Sequence, residues 1–121
     1  MANKIMVVDD EEHLLELVRD ILEGEGFEVI TASNGMECLE KLKKEHPDLI
    51  LMDIMMPGMS GKETVKKMRA NTKTKDLKVA FLTVSVSSAF ERKTMKELNV
   101  VDYILKPFDN EDLVRRVKKL L

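Results

Sequence analysis

Five short apolar runs, each parted from the next by a stretch of helical spacing, restrict this chain to a layered α/β architecture. The runs are residues 5–8 (Ile-Met-Val-Val), 27–30 (Phe-Glu-Val-Ile), 49–52 (Leu-Ile-Leu-Met), 79–82 (Val-Ala-Phe-Leu) and 101–105 (Val-Asp-Tyr-Ile-Leu). Four are nearly continuous in apolar side chains, the pattern of strands covered on both faces. Residues 27–30 are more mixed, which suits a place nearer a sheet edge. The intervals carry helical periodicity. Leu14, Leu15, Val18, Ile21 and Leu22 form an amphipathic stripe, followed by Gly24 and Gly26 as stop signals. Asn34 is placed to cap a second helix bearing Met36, Leu39 and Leu42, ending before His46-Pro47. A third helix is expected over 62–69 with Val65 and Met68. A fourth, faint one covers 88–98 with Phe90 and Leu98. A fifth opens at Asp109 or Asn110 and carries Leu113, Val114, Val117, Leu120 and Leu121. Strands alternating with helices imply parallel strands joined by right-handed crossovers, hence a doubly wound five-stranded parallel sheet with five helices. All five glycines lie at or before Gly61, so Asn99 is the expected stop of the fourth helix, because Asn tolerates the left-handed conformation.

Composition bounds the class. The 121 residues read as one domain, residues 1–121. A hydrophobic share of 44% supports a core, and 35% charged residues support a solvated surface. Lys and Arg number 20 against 22 Asp and Glu, a net charge of −2, which argues against a general nucleic-acid binder. No apolar run approaches the roughly 18 residues needed to span a bilayer, and the first residues lack a signal-peptide pattern. Cys38 is the single cysteine and cannot form an internal disulfide, in keeping with a reducing cytoplasm. The expectation is a small cytoplasmic domain with no membrane association.

In an open parallel sheet, ligands sit beyond the carboxyl ends of the strands. The first run is followed by Asp9-Asp10, the third by Asp53, the fourth by Thr83 and the fifth by Lys106-Pro107. Three acids, a hydroxyl and an amine are therefore expected to converge on one edge. Three carboxylates close together need a cation or a bound proton. Oxygen donors without His or Cys favour a hard ion, and Mg²⁺ suits a shallow site of few carboxylates. Adjacent aspartates after a strand also serve as a helix cap, and the two roles are compatible; Glu11 and Glu12 are assigned mainly to the helix dipole. A carboxylate beside Mg²⁺ can act as a nucleophile toward phosphorus; Lys106 supplies a compact cation to pair with Asp53 or with incoming phosphoryl oxygens, and Thr83 a hydroxyl donor to one of those oxygens.

Together these residues resemble the receiver domain of two-component response regulators over the whole chain. The resemblance rests on Val7-Val8-Asp9-Asp10-Glu11, on the segment from Asp53-Ile54-Met55-Met56-Pro57 through Gly58-Met59-Ser60-Gly61, on Thr83, and on Lys106-Pro107-Phe108. It implies a flavodoxin-like sheet of order 2-1-3-4-5. It further implies that Asp53 is the phosphoacceptor for a histidine kinase or phosphotransfer protein. Asp10, Asp53 and the backbone carbonyl of Met55 would ligate Mg²⁺, with Asp9 acting mostly through water. Lys106 and Thr83 would bind the phosphoryl group and Tyr103 would be the aromatic switch partner of Thr83, although its spacing equally fits an ordinary half-buried strand aromatic. A cis Lys106-Pro107 bond follows the same resemblance. Phosphorylation would alter the surface of helix four, strand five and helix five for a downstream protein target, in a monomer or a phosphorylation-dependent dimer that is not otherwise an enzyme.

Two other functions compete: a phosphohydrolase with an aspartyl-phosphate intermediate, and a phosphate-independent interaction module. The first needs an acid two residues beyond the nucleophile, where this chain has Met55. The second predicts missing acids or a missing lysine, and none is missing. A flavodoxin-type phosphate cradle is excluded by the acidic run at residues 9–12. Val84 is bulkier than the small residue frequent after the threonine, and is expected to narrow access for small phosphodonors. Met55 and Ser85 occupy the positions that influence water attack; with no acid or amide at Met55, slow self-dephosphorylation is expected. Met6 and Met52 read as core, whereas Met55, Met56 and Met59 flank the site either as packing or as an adaptable contact surface. His13 and His46 lack partners at metal-ligand spacing, and Cys38 reads as packed.

Overall fold

The computed structural model describes residues 3–84 and 89–121. Ten elements alternate: β1 (Lys4–Val8), α1 (Glu12–Gly24), β2 (Glu28–Ala32), α2 (Gly35–Lys41), β3 (Leu49–Asp53), α3 (Gly61–Arg69), β4 (Val79–Thr83), α4 (Ala89–Glu97), β5 (Asp102–Leu105) and α5 (Asn110–Leu120). All strand pairs are parallel and the order is β2-β1-β3-β4-β5, as the resemblance implied.

Alternation along each strand divides the core into two layers. On one face, Ile5, Val7, Leu49, Leu51, Ala80, Leu82 and Ile104 pack against Leu15, Val18 and Leu22 of α1 and Leu113 and Val117 of α5. On the other, Met6, Val8, Ile50, Met52, Val79, Phe81 and Tyr103 meet Cys38, Leu42, Val65 and Met68 from the α2–α3 side. Burial on both faces explains why β1, β3 and β4 are unbroken apolar runs.

The element boundaries follow local chemistry. Asn34 caps α2, its side chain accepting from the Glu37 N–H at 2.8 Å, and Asp109 caps α5 in the same way through Asp112. Ser60 and Glu63 form a reciprocal capping box at the start of α3, a Ser-x-x-Glu pattern that the apolar spacing of this helix does not reveal. Asn99 has φ +54, as expected for the stop after α4.

Some expectations shift. β2 runs from Glu28 to Ala32 rather than over 27–30, because Thr31 and Ala32 pair with Val7 and Val8, and pairing outlasts the apolar signal. Of the apolar residues expected on the second helix, Leu42 is buried and Leu39 packs against the core, but Met36 is exposed and Cys38 takes the inward place at the start of α2. Ser88 and the side chain of Phe90, both expected in the fourth helix, lie outside the described residues, as does Ser85.

Arg69, in the last turn of α3, ties three segments together. Its guanidinium donates to the carbonyls of Leu98 (2.8 Å), Leu77 (2.8 Å), Lys75 (2.9 Å) and Asn99 (3.3 Å), closing the ends of α3 and α4 onto the loop before β4. Burial pulls its pKa down from the usual arginine value, yet five carbonyl acceptors, the Thr74 carbonyl at 3.5 Å included, fit a planar fork of donors. Arg69→Met is expected to lower stability by about 2 kcal/mol in urea unfolding, with Arg69→Lys recovering less than half, because an ammonium cannot span the same acceptors.

Candidate functional site

Register brings the site together. Val8 pairs with Met52 and Ala32, Asp53 with Leu82, and Thr83 with Leu105, so β1, β3, β4 and β5 end on one edge. The next residues are Asp9, Ile54, Val84 and Lys106. Two backbone bonds hold this edge: Asp9 N–H donates to the Ala32 carbonyl at 3.1 Å, and Lys106 N–H to the Thr83 carbonyl at 2.7 Å.

Asp9, Asp10 and Asp53 each present a carboxylate oxygen, all within 4.8 Å of one another. Asp9 is fully buried and Asp53 nearly so, whereas Asp10 is open to solvent. Lys106 Nζ lies 2.6 Å from Asp9 Oδ2 and 3.6 Å from Asp53 Oδ1. The sequence pointed to Asp53 or incoming oxygens as the lysine's partner; its closer carboxylate here is Asp9, because a fully buried carboxylate needs a cation at hydrogen-bond distance. Asp9 also accepts from the Glu11 N–H at 2.9 Å, which shapes the turn before α1, but the helix cap expected from the aspartates does not form: the N-cap is Glu11, and no side chain caps the helix there.

Asp53 also accepts from the Met55 N–H at 3.3 Å. Its carboxyl is pushed up to about 6, first by burial and next by the negative charge of Asp9. The Lys106 ammonium and the Met55 N–H pull the other way, and Asp10 adds to the rise. A buried acid in this condition is short of positive charge.

Thr83 closes β4 and is buried. Tyr103 is buried on β5 beside Phe81, with ring centroids 5.5 Å apart and planes 44° apart. It therefore packs as a strand aromatic one strand away from Thr83's own. Lys106-Pro107 is cis. Beside Asp10 lies a shallow cavity of about 400 Å³ lined by Asp10, Ile54, Met55, Met56, Pro57 and Ser60. Of the loop methionines, Met55 is 74% exposed while Met56 is buried, so only part of that loop is available for contact. Val84, directly after Thr83, is 71% exposed. Cys38 is buried, and burial pushes its thiol up to about 12, which makes it an inert packing group.

One contributor is hidden from sequence reasoning. A Cβ on Gly61 would lie 2.1 Å from the Asp53 carbonyl oxygen, so α3 begins directly against the backbone of the central acid. In the sequence Gly61 is one glycine of a loop motif, and no spacing rule links it to this contact.

Among known proteins, the family model of the response regulator receiver domain matches residues 5–118. The chain is 39% identical over 121 residues to the alkaline phosphatase synthesis transcriptional regulatory protein PhoP of Bacillus subtilis, covering all of this chain and 49% of that protein. It is 40% identical over 121 residues to the phosphate regulon transcriptional regulatory protein PhoB of Rhizobium meliloti, covering all of this chain and 53% of that one. The chain thus spans about half the length of these curated relatives. Among solved structures, Vibrio cholerae chemotaxis protein CheY4 superposes with a TM-score of 0.93 at 31% identity over the full length of both chains. Thermotoga maritima response regulator TrrA, solved in complex with Mg²⁺-BeF, gives 0.82 at 39% identity over 98% of this chain and 99% of that one. With its sheet order, its acidic pocket and a family match along nearly its whole length, the chain belongs to the receiver domains of two-component response regulators.

Proposed function

We propose that the protein is a phosphorylation-controlled switch in which Asp53 accepts a phosphoryl group from a phosphohistidine of a histidine kinase or phosphotransfer protein. The observation that supports this most is the meeting of Asp9, Asp10, Asp53 and the Lys106 ammonium at one strand edge. The donor set is all oxygen, with one exposed carboxylate to complete a coordination sphere through water, and it suits Mg²⁺. Asp10 and Asp53 would hold the ion directly with the Met55 carbonyl, and Asp9 through water. When bound, the ion neutralises charge on the transferring phosphoryl group.

The chain's own residues do the rest. An Asp53 carboxylate oxygen forms the bond to phosphorus as the phosphorus–nitrogen bond breaks, and the electron pair leaves on the histidine nitrogen. Lys106 sits between Asp9 and Asp53 and is placed to turn its ammonium toward a phosphoryl oxygen on Asp53. Thr83 supplies a hydroxyl from the neighbouring strand end. The Lys106 N–H is bonded to the Thr83 carbonyl, so the backbones that carry the two phosphate-binding groups are held side by side. Tyr103, on the adjoining strand, would respond to Thr83 and pass the change to the α4–β5–α5 surface, where a downstream protein target reads it. Residues 1–121 would act in this way as one cytoplasmic receiver, a monomer or a phosphorylation-dependent dimer.

Labelling with a cognate kinase or acetyl phosphate in Mg²⁺ tests the assignment. Incorporation is expected in the native chain and none in Asp53→Asn; equal incorporation in both would remove Asp53 as acceptor. Acetyl phosphate alone is expected to label slowly because a bulky β-branched residue, Val84, follows Thr83. The acyl phosphate, once formed, is expected to persist for minutes or longer, since Met55 offers nothing to orient an attacking water. Phosphate release measured within seconds would refute that.

A further inference from the structure

We infer that the groove between the C-terminal ends of α2 and α3 is a docking site for an acidic peptide segment carrying one large apolar side chain. The groove encloses about 510 Å³. Its floor is the partly buried Leu39 over the core residue Leu42, at the end of α2, and Lys43, Lys67 and Lys73 line it together with Asn71, Thr72 and Thr74. It lies away from the acidic pocket: α2 and α3 start near the strand edge that carries Asp53 and run toward the opposite edge.

Charge complementarity selects the occupant. Residues 1–38 hold ten Asp and Glu against two Lys and Arg, whereas residues 39–78 hold ten Lys and Arg against six Asp and Glu. The overall −2 therefore conceals a positive region, and the groove lies inside it. Lys43 has an exposed contact with Glu40 at 3.0 Å, a pairing worth little in water. Among the described residues, Lys67 and Lys73 form no ion pair. The dipoles of two helix C-termini favour cations here, but Lys73 belongs to no helix, and a dipole gives no reason for an apolar surface at Leu39 beneath them. A concave apolar floor within a cationic rim is the shape that takes an apolar anchor flanked by carboxylates. A nucleic acid would use the rim and leave the floor unfilled.

The test uses the full chain and a synthetic peptide, about twelve residues of Glu and Asp with one central Leu, followed by NMR shift mapping and fluorescence titration. The expected result is saturable binding with shifts confined to the ends of α2 and α3. Affinity should fall at least tenfold in Lys67→Glu/Lys73→Glu and weaken as salt rises. The control Lys44→Glu/Lys75→Glu makes the same change in net charge at exposed positions outside the groove and should retain most of the affinity. Circular dichroism checks that both variants fold. The inference is overturned by lack of saturation, by equal binding of a peptide with Ala in place of Leu, or by equal loss in the control. It is also overturned if a single-stranded oligonucleotide of equal charge competes the peptide away, or if sedimentation shows the groove filled by a second copy of the chain. None of these outcomes depends on whether Asp53 accepts a phosphoryl group.

Discussion

Gly61→Ala is expected to cost about 3 kcal/mol or more of folding stability, seen as a lower urea midpoint with an unchanged slope. The added Cβ would sit 2.1 Å from the Asp53 carbonyl oxygen, 2.9 Å from the Asp53 carbonyl carbon and 2.9 Å from Ile54 Cα. All three are backbone atoms, so no rotamer change relieves the clash. Either α3 withdraws from the end of β3 or β3 bends. Withdrawal would also break the bond from Gly61 N–H to the Ile54 carbonyl, 2.9 Å long, which closes the loop over the acidic pocket. Phosphoryl acceptance should therefore suffer along with stability. Gly24→Ala is the matched control. It ends α1, nothing lies within 4 Å of where its Cβ would stand, and the change should be neutral or stabilising by about 0.5–1 kcal/mol. A Gly61→Ala chain as stable as the native one would mean that α3 does not abut β3 in solution.

Asp53→Asn is expected to move stability the other way, raising it at neutral pH by about 2–3 kcal/mol in metal-free buffer. In the folded chain the Asp53 carboxyl titrates at about 6 against 3.8 for the ordinary group. Between those two values the native state holds a proton that the unfolded chain has already released. Stability falls as pH rises from about 4 to 6, and the penalty stays constant above that range. A separation of one pH unit between folded and unfolded titration is equivalent to about 1.4 kcal/mol. The pull of Lys106 is already contained in the raised value, so a neutral amide of the same shape removes the whole penalty. Near pH 4 both chains carry a largely neutral group in the folded state and the difference should shrink toward zero. Mg²⁺ at roughly ten times its dissociation constant should stabilise the native chain by about 1.4 kcal/mol and narrow the gap at neutral pH. Thermal unfolding across pH 4 to 8, with and without Mg²⁺, reads all three effects. A variant less stable than the native chain at pH 7.5 would show that the Asp53 charge is fully compensated by its neighbours.

These two predictions differ in how far the sequence foreshadows them. The carboxylates at strand ends were legible because an unbroken apolar run followed by Asp is itself unusual, and parallel topology directs every such end to one edge. The element order was legible for the same reason, since strands buried on both faces and amphipathic helices have different periods. Asn34, Asn99 and Asp109 announced their turns through local chemistry that needs no distant partner.

What lay beyond the sequence was whatever depends on which side chain meets which. Met36 and Cys38 sit close together on one short helix, and so brief an apolar pattern does not choose between rotations; packing against Met6 and Val8 buries Cys38. Lys106 was expected to pair with Asp53 and does, at 3.6 Å; that the buried Asp9 holds the same ammonium closer, at 2.6 Å, was not legible. The close approach at Gly61 and the five carbonyls gathered by Arg69 join segments that no local pattern connects. The amino-acid order by itself determined the parallel layered sheet and the company of acids, hydroxyl and amine at its edge, because periodicity and strand ends are local properties. Only the folded structure decided the pairing of Lys106 with Asp9, the raised titration of Asp53 and the lysine-rimmed groove, because distances across the sheet and exclusion of water arise when all ten elements have packed.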